Sequence, residues 1–523
     1  MLSKNSLSYP ILIAGFIATT LLALSLRPTP HHAFISMTNA DKVAISYLWQ
    51  ADISKQNCQE KLGVLDEVVL EHCPDCEIQQ QLCLASLNDQ QKTWLSSQAL
   101  PSPSIRLHDG VIAYQAADAT VALQTCQHDA QVQSDFRHRL NCLPSNTLRP
   151  MLDTQHYNFW QDLAEMALLL ISAGLISWFI CYLILRYESL HAQYSHDHTH
   201  AGIQKFHAQA TPRIGGIALF AGLLASVAIE IVFNIVNPSN NIGFAYFIIA
   251  SAPVFLGGII EDVTKNVGVA QRLLFSMVSA AIAIWLLGAL INRIDIGPID
   301  GLLLSAPMAI AFTILGISGV CHAMNIIDGY HGLSAGYASI ALVALIAVAF
   351  QVNDHLVIAI GVALLGSLLG FLRWNWPHGK IFMGDGGAYL LGFSLAELAI
   401  LLLYRNPSVS PWFTASLMAY PIVETLYSMF RRKVIAKTKT GLPDDQHMHQ
   451  LIFSKIIRGH AVNRPEQLNH HNSRVALYIW LPAAINAAVV SLFWSNSAIL
   501  MPLTLAGCVL YVLVYRKLLS LPD

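Results

Sequence analysis

Residues 382–404 read FMGDGGAYLLGFSLAELAILLLY: a short glycine-rich turn carrying Asp385, then an apolar run interrupted only by Glu397. A helix of about 20 apolar residues spans the hydrocarbon core of a bilayer. The run lacks the polar–apolar alternation of a barrel strand, so it reads as a membrane-crossing helix. Working outward, the same alternation of polar turn and apolar run fills residues 163 to 516. About twelve spans are predicted, near 9–27, 163–186, 213–236, 242–260, 270–291, 301–319, 333–352, 355–372, 387–404, 412–430, 474–494 and 497–516. In lipid every backbone polar group needs an internal partner, which a helical bundle provides. The predicted fold class is therefore an all-α polytopic membrane protein.

Composition agrees. The 523 residues are 54% hydrophobic and 12% charged, with a mean hydropathy of +0.49. Soluble chains carry about twice that charge. A net charge of -2 gives no bulk affinity for nucleic acid, and none is expected as a partner. Residues 28–160 differ, reading as ordinary soluble protein with six cysteines: Cys58, Cys73, Cys76, Cys83, Cys126 and Cys142. An even cysteine cluster in an exported segment predicts disulfides, with the pairing open. Cys73 and Cys76 form a CxxC, but no βαβ pattern surrounds it, so a structural role is favoured over a redox one. Cys181, Cys321 and Cys508 fall in or beside spans and are read as inert. The expected organisation is a membrane anchor or uncleaved signal (1–27), an extracytoplasmic disulfide-bonded domain (28–160) and a polytopic domain (161–523).

Counting spans places the polar motifs. Two spans separate each successive pair among five loops: the one ending in Thr211–Gly216, then Gly257–Asp262, Asn325–Gly329, Phe382–Asp385 and Asp444–His449. An even number of crossings returns the chain to one face each time. That face also carries Lys205, Lys265, Arg272, Arg373, Lys380, Arg431, Arg432, Lys433, Lys437, Lys439, Lys455 and Arg458, whereas the opposite short loops offer little beyond Arg293 and Arg405. The positive-inside rule makes the motif face cytoplasmic and puts residues 28–160 in the periplasm.

The shared face gathers Glu261, Asp262, Asp328, Asp385, Asp444 and Asp445 with basic groups and two histidines. Carboxylates at several helix ends suit Mg²⁺, which binds through one or two of them plus substrate phosphates. His447 and His449 are read as metal ligands or as donors to phosphate oxygens, and the basic loop favours phosphate. Glycines at 215–216, 257–258, 384 and 386–387 are read as letting backbone approach a diphosphate. His191, His196, His198 and His200 are read as a solvated loop rather than a metal site. A nucleotide diphosphate at a membrane surface suggests a lipid acceptor, whose phosphate needs positioning and charge neutralisation more than a strong base.

These motifs, in this order, resemble the polyprenyl-phosphate N-acetylhexosamine-1-phosphate transferases, the superfamily of MraY, WecA, TagO and WbpL. The resemblance covers residues 163–516, a family-like core of about eleven spans, and leaves residues 28–160 unexplained. It implies transfer of a HexNAc-1-phosphate group from a UDP-N-acetylhexosamine to undecaprenyl phosphate, with Mg²⁺ or Mn²⁺ as cofactor and UMP as product. Lys205, His207 and Arg213 match its opening K-x-H…P-R-x-G-G signature, which helps hold substrate phosphates. Glu261 and Asp262 sit at its aspartate pair, implying catalytic roles and, for Asp262, metal binding. Asn325 and Asp328 match its N-x-x-D-G motif in the nucleotide site, His331 falls in the adjoining D-G-x-N/D-G-L stretch near that site, and Asn375 matches an asparagine that holds uridine. Asp385 matches the main magnesium ligand and is catalytic. Arg431, Arg432, His447 and His449 match the stretch that binds the sugar-nucleotide diphosphate.

The P-D-D-Q-H-M-H-Q-L order looks closer to the WecA and WbpL branches. Three departures are Glu261 for the first aspartate, His331 for the usual Asp or Asn, and two histidines where MraY has three in a row. The family also implies a bacterial inner-membrane location, a role in O-antigen, lipopolysaccharide or other cell-envelope glycans, and the capacity to dimerise. Two other classes compete. An inactive transferase-like sensor or scaffold is disfavoured by the intact Asp385 and H-x-H loop. A secondary transporter would place ionisable groups near mid-membrane, where only Glu230, Glu397 and Glu424 lie.

Overall fold

The computed structural model describes residues 32–39, 42–49, 77–84, 104–106, 110–116, 118–132, 142–143, 159–197, 211–233, 238–437, 444, 446–457 and 471–521. The chain divides into two compact units, residues 22–159 with 351–353, and residues 160–350 and 354–523 with 1–21.

The smaller unit is built on six strands: β1 (His32–Thr38), β2 (Ala44–Trp49), β3 (Glu77–Leu84), β4 (Ser104–Arg106), β5 (Gly110–Gln115) and β6 (Cys142–Leu143). They form one antiparallel sheet in the order β3-β1-β2-β5-β4-β6. Ile35 and Met37 on β1 are buried with the strand period, and Ile45, Leu48 and Ala113 are buried beside them. Helix α1 (Ala119–Val132) starts where the Asp118 carboxylate accepts the Thr120 N–H at 2.8 Å. Cys83 of β3 and Cys126 of α1 are each disulfide-bonded, whereas Cys58, Cys73 and Cys76 lie outside the described residues.

The larger unit is helical. It runs α2 (Phe159–Arg186), α3 (Glu188–Ser195), the short pair β7 (His196–Asp197) and β8 (Thr211–Pro212), α4 (Gly216–Phe233), α5 (Pro238–Thr264), α6 (Val269–Leu287) and α7 (Gly297–Leu303). It continues through α8 (Ala306–Ile327), α9 (Leu333–Gln351), α10 (His355–Asn375), α11 (Gly384–Arg405), α12 (Pro411–Leu417) and α13 (Ala419–Phe430). A π-helical turn (Arg431–Ile435) follows, then α14 (Met448–Leu451), a second π-helical turn (Ile452–Ile457), α15 (Arg474–Leu492) and α16 (Ser497–Leu519). Among the described residues nine helices are long and apolar enough to cross a membrane, making this a multi-pass membrane protein.

Two of the twelve expected spans come out differently, and a third, 9–27, lies outside the described residues. The one expected over 213–236 begins at Gly216, because Gly215 and Gly216 donate to the carbonyls of Phe382 and Met383 at 3.0 and 2.8 Å instead of extending the helix. The one expected over 412–430 is broken into α12 and α13 at Met418. Pro421 has no N–H to give the Leu417 carbonyl four residues back. The Tyr337 hydroxyl of α9 donates to that carbonyl instead, at 2.6 Å.

Helix α11 is the hub, with every residue from Gly384 to Leu403 buried by its neighbours, while α16 is peripheral and faces outward. Its close contacts are made through glycine. A Cβ on Gly258 would lie 2.5 Å from the Gly386 backbone, and one on Gly216 2.3 Å from Gly387 N. Of the glycines expected to admit a diphosphate, Gly216, Gly258, Gly386 and Gly387 are therefore taken up by helix-to-helix backbone contact.

Candidate active site at the amino end of α11

Asp385 stands in the first turn of α11, and residues from four other elements meet it. Arg213, in the segment before α4, donates through Nη2 to Asp385 Oδ1 at 3.1 Å. Arg272, in the first turn of α6, donates through Nη1 to Oδ2 at 2.5 Å. Asn325, in the last turn of α8, donates through Nδ2 to Oδ1 at 3.2 Å. Asp262, near the end of α5, accepts the backbone N–H of Asp385 and of Gly386, each at 2.9 Å. Four of the five motif loops thus converge on one residue, as span counting requires.

The fifth closes the other side. His449 of α14 packs against Tyr330 edge-on at 5.5 Å, next to Gly329 of the N-x-x-D-G motif. Its ring stacks on His447 at 5.4 Å. His447 Nδ1 lies 2.9 Å from Glu424 Oε1, and Glu424 Oε2 also accepts Met448 N–H at 3.1 Å and the Tyr511 hydroxyl at 2.8 Å. Asp444 accepts from Ser428 at 2.7 Å and pairs with Arg431, which also reaches Gln446 Oε1 at 2.7 Å. The histidine loop is therefore clamped by two carboxylates before any substrate arrives.

Electrostatics follow from these enclosures. Burial pushes the Asp328 carboxyl up to about 7, the Ser334 hydroxyl bond opposes this, and the Asp385 charge adds to it. Burial drives His449 down to about 3, so its ring is neutral near pH 7 and acts through N–H donation or lone-pair acceptance. At Asp444 burial favours protonation, but hydrogen bonds from Arg431 and Ser428 outweigh it and hold the carboxyl below its ordinary range.

Other expected residues sit further back. The Glu261 carboxylate accepts Val267 N–H at 2.6 Å and braces the turn after α5. Both ends of the Asn375 side chain are used by backbone, Oδ1 accepting from Gly332 at 2.6 Å and Nδ2 donating to Ile381 at 2.7 Å. His331 is buried, with Nδ1 3.3 Å from the Pro377 carbonyl and its ring against Phe382. These two shape the 376–382 loop that leads into Asp385. Arg432 is buried in the π-helical turn after α13. Lys205 and His207 lie outside the described residues. Of the histidine cluster, His191 bonds Ser195 and the Ile184 carbonyl and His196 pairs with Glu188, while His198 and His200 lie outside the described residues.

Sequence reasoning left three residues out of the site. Arg272 was counted only as a basic flank. His322 lies one turn before Asn325 on α8, and Tyr389 one turn after Asp385 on α11; His322 Nδ1 and the Tyr389 hydroxyl are 3.3 Å apart. Their i±3 and i±4 spacing from known site residues was the available signal. Arg272 Nε and His322 Nε2 are buried without a hydrogen-bond partner among the described residues.

The donor set fits a hard dication at one point. Asp385 retains 7% exposure, and its oxygens, held by the side chains of Arg213, Arg272 and Asn325, would be the ligands, with the Asn325 amide and Asp328 carboxyl in the same motif cluster. Asp262 is fully enclosed, with both oxygens already bonded. Among the described residues no three His, Cys, Asp or Glu side chains converge to hold a metal unaided.

Comparison with known proteins points the same way. The model of glycosyl transferase family 4 matches residues 244–403, which carry Asp262, Arg272, Asn325 and Asp385. The Bacillus subtilis protein named "Probable undecaprenyl-phosphate N-acetylglucosaminyl 1-phosphate transferase" is 29% identical over 252 residues, 48% of this chain and 68% of the relative. The decaprenyl-phosphate N-acetylglucosaminephosphotransferase of Mycolicibacterium smegmatis is 25% identical over 395 residues, 68% of this chain and 89% of the relative. The phospho-N-acetylmuramoyl-pentapeptide-transferase of Latilactobacillus sakei is 30% identical over 210 residues, 38% of this chain and 64% of the relative. Residues 244–403, which hold most of the cluster around Asp385, thus match glycosyl transferase family 4, and the chain is similar to polyprenyl-phosphate N-acetylhexosamine-1-phosphate transferases on both sides of that superfamily.

Proposed function

We propose that this protein transfers an N-acetylhexosamine-1-phosphate group from a UDP-sugar to undecaprenyl phosphate, releasing UMP, at the cytoplasmic face of a bacterial inner membrane. A lipid-phosphate oxygen attacks the sugar-linked phosphorus, a new P–O bond forms, and the bond to UMP breaks. The observation that carries this reading is Asp385 held between Arg213 and Arg272, with Asn325 alongside. Two guanidinium groups converging on one carboxylate make a site able to bind phosphate oxygens by forked, charge-assisted hydrogen bonds. His447 and His449, fixed by Glu424 and Tyr330, orient the nucleotide diphosphate from the other side. A Mg²⁺ ion bound at Asp385 would supply Lewis-acid stabilisation of the phosphoryl oxygens.

The names of several relatives make UDP-N-acetylglucosamine the first donor to test and polyprenyl phosphate the acceptor. The product then begins a cell-envelope glycan such as O-antigen. The test is UMP release from detergent-purified protein given undecaprenyl phosphate, Mg²⁺ and a panel of UDP-sugars. Release that requires lipid and metal and disappears in Asp385→Asn is expected. Folded protein that binds a UDP-sugar but never releases UMP would overturn the reading in favour of an inactive scaffold.

A further inference from the structure

We infer that Asp262 is a positioning residue: its carboxylate caps the amino end of α11 and thereby fixes Asp385, instead of binding metal or substrate itself. The first N–H groups of a helix have no intrahelical acceptor. Helix α11 has no cap of its own, because Met383 at that position offers no side-chain acceptor. The helix instead borrows one from α5. Asp262 Oδ1 accepts Asp385 N–H and Oδ2 accepts Gly386 N–H, both at 2.9 Å.

The surroundings are built for this contact. Asp262 is 0% exposed. Gly384 has φ +75°, and a Cβ there would lie 2.5 Å from Asp262 Oδ2, so only glycine admits the carboxylate. Gly258, one turn earlier on the same face of α5, touches the Gly386 backbone and brings the two helices close enough for the cap. Arg213 Nη2 stands 3.6 Å from Asp262 Oδ1 and 3.1 Å from Asp385 Oδ1, so one guanidinium offsets both charges. A carboxylate at a helix amino end is also favoured by the helix dipole. The two aspartates therefore divide the work, one holding backbone and the other gathering the side chains of Arg213, Arg272 and Asn325.

Hydrogen exchange on metal-free full-length protein tests this without relying on turnover. Peptides beginning near Gly384 should lose about tenfold of their amide protection in Asp262→Ala, and about threefold in Asp262→Asn, whose amide oxygen still accepts one bond. Asp385→Asn should keep wild-type protection, since its backbone is untouched. Unchanged protection in monodisperse Asp262→Asn would overturn the inference. The kinetic arm rests on the proposed transfer reaction. There Asp262→Asn should lower kcat about 100-fold while the Mg²⁺ concentration for half-activation moves less than about threefold; a metal ligand would shift it about 10- to 100-fold, with kcat restored at high Mg²⁺. Wild-type protein that releases no UMP would sink the transfer reading and leave the exchange result to decide the cap.

Discussion

Glu424 and His447 meet at 2.9 Å inside the helical unit, with the carboxylate only 1% exposed. One oxygen of Glu424 holds the imidazole, and the other holds Met448 N–H and the Tyr511 hydroxyl of α16. The peripheral helix, the broken helix α13 and the histidine loop are thus tied at a single buried carboxylate. An enclosed charge with three donors is stabilising while all three remain, and costly when one is lost.

Glu424→Gln is the direct probe of that tie. Glutamine can still accept from His447, but its amide nitrogen would face Met448 N–H donor to donor. The expected cost is about 1–3 kcal/mol of stability, with kcat/KM for UMP release lowered about tenfold as the histidines lose their register. Wild-type melting and wild-type kinetics in this variant would show that the loop is held by other contacts.

Arg272 should matter to chemistry more than to folding. It donates to one oxygen of Asp385, the residue on which the site converges, so its charge lies where a phosphate would bind. Arg272→Met is expected to lower kcat/KM about 100-fold, roughly 3 kcal/mol in the transition state. Arg272→Lys, a point charge without the fork, should recover only part of this. The effect should appear in the titration of polyprenyl phosphate or of UDP-sugar. Equal activity of all three proteins would mean that the Arg272 pair with Asp385 is structural only.

Span parity made the convergence of the five loops legible, because it depends only on how many apolar runs intervene. Asp385 and Asn325 were legible for the same reason. The break at Met418 was not, since residues 412–430 are apolar enough to cross and the decisive partner, Tyr337, lies about 80 residues away in sequence. The glycines were visible but misassigned: Gly258 and Gly386 read alike whether they face a phosphate or each other, and only tertiary contact tells which. Asp262 likewise carried the residue type of a ligand, while its burial came from helix packing that no local pattern records. The strands of residues 32–143 were not read, because short strands in a cysteine-rich segment lack the long periodicity that marks the spans.

The pH response of stability should have two opposing parts. His449 has a folded value near 3 against 6.5 for an ordinary histidine. Between those values the unfolded chain binds a proton that the folded one excludes, so this contribution is complete above about pH 6.5 and is lost as pH falls. Asp328 has a folded value near 7 against 3.8. Its folded form keeps the proton through that window, so its contribution is complete below about pH 3.8 and is lost as pH rises towards 7. His449→Gln should therefore flatten the fall of Tm between pH 6.5 and 5, and Asp328→Asn should raise Tm at pH 7 relative to pH 5. Parallel Tm profiles for wild type and both variants would contradict the assigned burial.

Glycine contacts give the sharpest contrast in packing. In Gly258→Ala the new Cβ would sit 2.5 Å from Cα and N of Gly386, backbone atoms that cannot rotate away. Helix α5 must retreat from α11, at an expected cost of about 2–3 kcal/mol, and Asp262 retreats with it, lengthening both cap bonds. Activity should fall with stability, although residue 258 touches no substrate. Gly319 on α8 is the matched control, because nothing lies within 4 Å of its added Cβ. Alanine is the better helix former by about 1 kcal/mol, so Gly319→Ala should be neutral or stabilising and keep wild-type UMP release. Thermal melting of the two variants side by side separates helix propensity from close approach. A Gly258→Ala protein as stable and active as Gly319→Ala would show that the two helices do not pack backbone to backbone at this point.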